Sequence, residues 1–263
     1  MDKLLTVVIP SYNVEKFLNQ TLDSFVCDEA VMKKFEVIVV DDGSKDNTAK
    51  IGKEYADKYP DTFRVISKEN GGHGSTINCG IRNAVGKYFK VVDGDDWVNT
   101  ADFVKLVEDL EKTESEYVFT NYNEYYDDVN RQKAVDFPQF KDGTEYDFAD
   151  VANKVYIPMH ALVIKTSVLK DNNIVIDEKC FYVDVEYVMF PVPFVNKVTF
   201  FDLHVYMYRL ALTTQSVSIL GFQKHINDHL RVTFHMFDFY RDYISSDKAD
   251  SAKADYMRTC ISD

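Results

Sequence analysis

The first part of this chain changes its period again and again. LLTVVI (4–9), FEVIVV (35–40), FRVIS (63–67) and KYFKVV (87–92) are short runs of β-branched, aliphatic and aromatic residues, the make-up of buried strands. Between them apolar residues recur every three or four positions: Phe17, Leu18, Leu22, Phe25 and Val26, then Ile51, Tyr55 and Tyr59, then Ile77, Ile81 and Val85. That interval belongs to helices. Phe103, Leu106, Val107 and Leu110 mark a further helix after the fourth strand. Strands that alternate with helices pair in parallel, because each helix carries the chain back across the sheet in a right-handed crossover. The expected class is α/β: a Rossmann-like, mainly parallel sheet flanked by helices. Asn13 is placed to cap the first helix, and Asp46 or Asn47 the second.

In such sheets ligands bind at the carboxyl ends of the strands. Pro10-Ser11-Tyr12-Asn13 follows the first strand and Asp41-Asp42-Gly43-Ser44 the second. Asn70-Gly71-Gly72-His73-Gly74 follows the third and Asp93-Gly94-Asp95-Asp96 the fourth. A parallel sheet brings all four polar turns to one edge, so the site is expected there.

The last turn poses a problem of charge. Asp93, Asp95 and Asp96 lie within four residues, and like charges so close repel unless a donor, water or a cation relieves them. The EF-hand pattern fails because Trp97 occupies its fifth position and no glutamate closes the loop. A phosphate-binding lysine loop and a GxGxxG fingerprint are also missing. What remains is Asp-x-Asp at a strand end. Mg²⁺ or Mn²⁺ is held by one or two carboxylates together with substrate phosphates and water, and would relieve the crowding. A solvated turn that caps a helix is the plainer account, but it leaves the other three turns unexplained. Asp41 and Asp42, at the end of a buried run, are acceptors suited to a ring N–H of a base such as uracil.

Composition narrows the partners. The net charge is −13 and no Lys/Arg run forms a basic patch, so nucleic acid is excluded as a partner. Cys27, Cys79, Cys180 and Cys260 form no CxxC pair and read as free thiols in a reducing compartment. No apolar stretch is long enough to span a bilayer. The expected location is cytoplasmic, with peripheral association at the inner membrane face as the variant.

Beyond residue 115 the alternation stops. YVFTNYNEYYDD reads as a strand, and residues 127–150 as an irregular surface excursion. HALVIKTSVLK (160–170) reads as a strand and helix start, 181–195 as a helix, and 197–209 as a strand pair. Phe222, Ile226, Leu230, Thr233, Phe237, Tyr240 and Ile244 form a helical stripe, read as core or as a homodimer surface. The polar end of the chain reads as a truncation. The expected divisions are 1–115, 116–220 and 221–263.

TVVIPSYN, VIVVDDGSKDNT, NGGHGSTINCGI and FKVVDGDDW, in this order and spacing, resemble the family 2 glycosyltransferases of the GT-A fold. The resemblance implies inverting transfer of a sugar from a nucleotide diphosphate donor, usually UDP-linked. The acceptor would be a saccharide or lipid-linked saccharide, and the pathway bacterial surface polysaccharide or glycoconjugate assembly. It implies a nucleotide-sugar-binding first half, an acceptor-binding second half and a C-terminal helical extension. Pro10 and Tyr12 would line the nucleotide, with Asp42 as the uracil contact and Asp41 supporting it. Asn70 and Gly72 would complete the donor site. Asp93 and Asp95 match the DXD motif, with Asp95, Asp93 and Asp96 toward Mn²⁺ or Mg²⁺ and the diphosphate. Gly94 stands where the family often has Ser or Ala. FYVDVEYVMF (181–190) matches the acidic motif that supplies the base, which makes Asp184 the general base with Glu186 as rival. His160 would lie beside the donor sugar, and Arg209 with Thr213–Ser216 would close over the diphosphate.

Two other readings stand beside this one. A nucleotidyltransferase carries a glycine-rich basic loop after the first strand, where this chain has PSYN. A nucleotide-sugar-binding protein without catalysis would turn Asp184 away from the cleft.

Overall fold

The computed structural model describes residues 3–210 and 219–262. Its first part follows the expected alternation: β1 (Leu5–Ser11), α1 (Leu18–Asp23), α2 (Glu29–Met32), β2 (Phe35–Asp41), α3 (Thr48–Lys58), β3 (Phe63–Ser67), α4 (His73–Asn83), β4 (Tyr88–Val91), β5 (Trp97–Val98) and α5 (Thr100–Asp109). Every residue of β1 and β2 is buried, which is why their sequences run apolar without a polar alternate. The second part contains β6 (Tyr117–Tyr126), β7 (Arg131–Val135), β8 (Thr144–Asp147), α6 (Phe148–Ala152), β9 (Leu162–Lys165), α7 (Thr166–Asp171), α8 (Asp184–Met189), β10 (Lys197–Leu210), α9 (Ile219–Lys224), α10 (Ile226–Ile244) and α11 (Ser251–Ser262).

These strands form one sheet in the order β3-β2-β1-β4-β9-β6-β10-β5, with β7 beside β6 and β8 beside β10. The pairings make β3, β2, β1, β4, β6 and β10 point the same way, against β5, β7, β8 and β9. The sheet is thus mainly parallel, with β5 from the first part and β7, β8 and β9 from the second running against the rest. Ser11, Asp41 and Ser67 are in register across β1, β2 and β3, so their turns leave the sheet level with one another. Hydrophobic clusters pack on both faces. Under α5, Phe103 meets the rings of Phe25 and Phe35 edge-on, each at 5.0 Å.

Several expectations are corrected. The first helix begins at Leu18, and Asn13 does not cap it. Asn13 takes a left-handed φ of 55°, and its carboxamide oxygen accepts from Lys45 N–H at 2.8 Å, tying the first turn to the second. At the start of α3, by contrast, the expectation of Asp46 or Asn47 is met by Asp46, which accepts from Thr48 N–H at 2.9 Å. Residues 127–150 are not an irregular excursion, because they hold β7, β8 and the start of α6. The stretch 197–209 is one long strand. The C-terminal stripe breaks at His225, and Ile226, Leu230, Phe237 and Ile244 are exposed. The core face of α10 is a different one, Val232, Met236 and Tyr243. The polar end forms α11, which buries Tyr256, Met257 and Cys260 in the same cluster. Among the described residues no helix is long and apolar enough to cross a membrane.

Candidate active site

The strand edge opens into two adjoining cavities. One, of about 490 Å³, is bordered by Pro10, Tyr12, Asp93, Asp95, His160 and Asp184. The other, of about 540 Å³, is bordered by Asp42, Asn70 and Gly72. Pro10, Tyr12, His73 and Phe181 border both. Asp41 and Arg209 border neither.

The crowded acidic turn is relieved one carboxylate at a time. His73 Nε2 lies 2.7 Å from Asp93 Oδ1. Burial opposes ionisation of both groups, yet the pair overrides it: Asp93 sits below the usual carboxylate value and His73 above the usual histidine value. Asp96 accepts from the Tyr206 hydroxyl at 2.5 Å and from Arg209 N–H at 2.7 Å. Its burial, with Asp95 and Asp93 nearby, pushes it well above the usual carboxylate value. Asp96 borders the cleft with Asp93 and Asp95, but each of its oxygens already accepts a hydrogen bond inside the fold. Asp95 remains. Among the described residues no side chain donates to it, and burial with Asp93 alongside raises it to about 6. A Cβ on Gly94 would lie 2.9 Å from Pro10 O, so the residue between the two acids has little room to grow.

The turn after β2 is the reverse case. Asp42 accepts from Lys68 Nζ at 2.7 Å, Gly71 N–H at 3.0 Å and Gly72 N–H at 2.8 Å. This clamp bends Asn70–Gly72 over the second cavity, and Gly72 adopts a φ of 83° that a side chain would strain. Asp42 borders that cavity with a carboxylate already well supplied with donors. Asp41 accepts from Ser44 N–H at 3.1 Å and holds its own turn.

Two acids near the start of α8 part company. Asp184 borders the cleft, and among the described residues no other side chain hydrogen-bonds to its carboxylate. Burial raises it above the usual value, against a weaker pull from His73. Glu186 is fully buried; it accepts from Asp177 N–H at 2.7 Å and pairs with His235 Nδ1 at 2.8 Å. The rival base is therefore tied down outside the cleft, and that alternative is corrected.

His160 lies in the cleft, stacked on Tyr208 at 4.0 Å between ring centres and on Tyr122 at 5.6 Å. Burial lowers it to about 4, so its ring is neutral near pH 7. Its backbone is held by the buried Lys90, whose Nζ donates to His160 O at 2.8 Å and which burial lowers to about 7. Arg209 is no diphosphate clamp. It is buried, donating to Asp95 O at 2.8 Å, to Gln20 Oε1 at 2.6 Å and to Asp127, and its guanidinium stacks on Trp97. That correction makes it the bolt between the acidic turn and β10. The loop Thr213–Ser216 lies outside the described residues.

Sequence reasoning missed His73, Phe181, Tyr182 and Tyr208. His73 had a signal, since it opens the helix straight after one of the four turns. The other three come from distant segments that only the folded sheet brings to the cleft. Tyr12, 50% exposed, and Phe181, 42% exposed, lie at the junction of the two cavities.

Comparison with known proteins follows the same lines. The model of the glycosyl transferase family 2 matches residues 6–172. The uncharacterized glycosyltransferase EpsJ of Bacillus subtilis (strain 168) is 38% identical over 118 residues, 45% of this chain and 33% of that protein. The minor teichoic acid biosynthesis protein GgaB of the same organism is 33% identical over 111 residues, 42% of this chain and 12% of that protein. The chain thus spans a third or less of the length of these two relatives. S. aureus TarS 1–349 in complex with UDP-GlcNAc superposes with a TM-score of 0.74 at 20% identity, covering 97% of this chain and 70% of TarS. The mannosyltransferase PcManGT from Pyrobaculum calidifontis, in complex with GDP-Man and Mn²⁺, gives 0.63 at 17% identity, covering 98% and 69%. At such identities the two structures show the fold, which is GT-A.

Proposed function

The chain belongs to the glycosyl transferase family 2, and from that premise we propose that it moves a sugar from a UDP-sugar to an acceptor hydroxyl with inversion at the anomeric carbon. The observation that carries this is a pair of carboxylates, Asp95 and Asp184, that border one cleft and receive no side-chain donor among the described residues. Their neighbours Asp96 and Glu186 are fully engaged.

The donor set fits a hard cation. Asp95 and the second oxygen of Asp93 are two carboxylate ligands beside an open cleft, the supply from which Mg²⁺ or Mn²⁺ is completed by water and substrate phosphates. Bound there, the cation would neutralise charge on the departing diphosphate. Tyr12 and Phe181 would receive the base, with Asp42 holding the Asn70–Gly72 turn beside it and Asp41 supporting the turn before. Pro10, Asn70 and Gly72 would complete that wall. His160, neutral and stacked, would meet a sugar hydroxyl without adding charge. Asp184 would take the proton from the attacking acceptor hydroxyl, and its raised pKa brings it closer to the value a base working near neutrality needs. The acceptor would be a saccharide unit of a cell-surface glycopolymer, supplied free or lipid-linked, to an enzyme working in the cytoplasm or at the inner membrane face.

Titration calorimetry of UDP with Mn²⁺ and with EDTA tests the donor half. Binding that depends on the cation, and loses that dependence in Asp95→Ala, is the expected result. Identical UDP binding in Mn²⁺ and EDTA overturns the metal role.

A further inference from the structure

A third cavity, of about 510 Å³, continues from the cleft on the far side of Asp184. His160, Tyr182, Asp184 and Tyr208 border both spaces, whereas the acidic turn borders only the first. A hydroxyl presented from this third cavity therefore meets Asp184 before it meets Asp95. Its outer wall is built by α10 and α11 and includes Val232, Met236 and Cys260. Those helices close what would otherwise be an open face of the sheet.

The lining has a definite chemistry. Among its described residues Asp184 is the only carboxylate, and there is no lysine or arginine. Tyrosines 122, 156, 182 and 208 supply rings. A phosphodiester or uronate placed here would give up water, meet the imidazoles of His160 and His229 but no lysine or arginine among the described lining residues, and approach a carboxylate of its own sign. A neutral pyranose suits the same space: its C–H face packs on an aromatic ring, while its hydroxyls reach tyrosine OH and Thr233. We propose that this cavity binds the acceptor's reacting unit and selects an uncharged hexose residue, rejecting phosphorylated and carboxylated ones. The proposal rests on the reading of Asp184 as the base, and it adds the acceptor class, which that reading leaves open.

Saturation-transfer NMR on the full chain, alone and with Mg²⁺ and UDP, would compare methyl glucoside and methyl galactoside with their uronate and 6-phosphate forms. The neutral glycosides should bind at least about tenfold more tightly than their anionic partners. Thr233→Trp and Val135→Trp, which fill the cavity from opposite walls, should each abolish the neutral signals. Equal or tighter binding of the anionic forms overturns the proposal. So does a neutral signal that survives both substitutions, or the absence of binding by any glycoside. Wild-type UDP affinity, measured separately, reports on the donor reading alone. Its failure would sink that reading while the glycoside panel still judged the cavity. The panel needs no substitution, so a variant that fails to fold leaves the comparison of neutral with anionic ligands intact.

Discussion

The turns after β2 and β4 look alike on paper. Each follows a buried parallel strand and each carries adjacent acids and a glycine. In the fold they behave oppositely. Asp42 is held by Lys68 and two backbone N–H groups, so its charge is spent on shape. Asp95 receives no side-chain donor among the described residues and is raised to about 6. The same contrast recurs within three residues of α8, where Asp184 faces the cleft and Glu186 is bound to His235. An acid at the end of an element is thus structural or chemical according to the donors around it, and open acids are where a ligand's charge or proton has a place.

Substitutions at tied and open acids should therefore fail in different ways. The largest effect belongs to Asp184→Asn, which keeps shape and removes basicity. Transfer, followed as UDP release with acceptor, should slow by about 10²–10⁴ while UDP binding holds. Glu186→Gln should transfer at close to the wild-type rate and lose stability in urea. A dead Glu186→Gln beside an active Asp184→Asn would break the distinction. Next comes Asp95→Asn, expected to lower cation-dependent UDP affinity by at least about tenfold, with the melting temperature little changed or raised because a crowded charge is gone. Asp42→Asn should do the converse. It loses charge-assisted hydrogen bonds worth about 1.5–3 kcal/mol, read by urea unfolding, and its effect on the preference for UDP over CDP should be smaller.

A further effect concerns pH. His160 titrates at about 4 in the fold and near 6.5 when unfolded, so the unfolded chain binds the extra proton between these values. Its neutral burial contributes nothing adverse above about pH 6.5 and costs progressively more as the pH falls toward 4, by up to about 1.4 kcal/mol per unit. His160→Phe keeps a ring in the stack and removes this proton. The difference in unfolding free energy between wild type and variant should shift in the variant's favour across that window. A difference independent of pH would show that His160 is not buried as a neutral ring.

Much of the early half was legible in advance because its signals are local. Runs such as FEVIVV and FRVIS name their strands, and Phe103, Leu106, Val107 and Leu110 all face the core as their spacing implies. The later half was harder. Residues 127–150 build edge strands whose side chains are largely exposed, so no apolar alternation announces them. The stripe of α10 misled for a related reason: Leu230 and Phe237 keep helical spacing while facing solvent, and the buried face runs through Val232 and Met236. Arg209, a lone charge in the apolar run VYMYRL, gave no hint that Asp96 and Asp127 would claim it.

Order and spacing along the chain thus determined the sheet's early strands, the level edge of four turns and the presence of acids there, because these depend on period and on the direction of parallel crossovers. Which acids stay open was decided only in the tertiary structure. Tyr206 and Arg209, more than a hundred residues after the acidic turn, supply donors to Asp96, and His73 supplies one to Asp93. None reaches Asp95. A carboxylate's role depends on which donors lie within about 3 Å of it, and that distance is set by strand pairing and packing between segments remote in sequence.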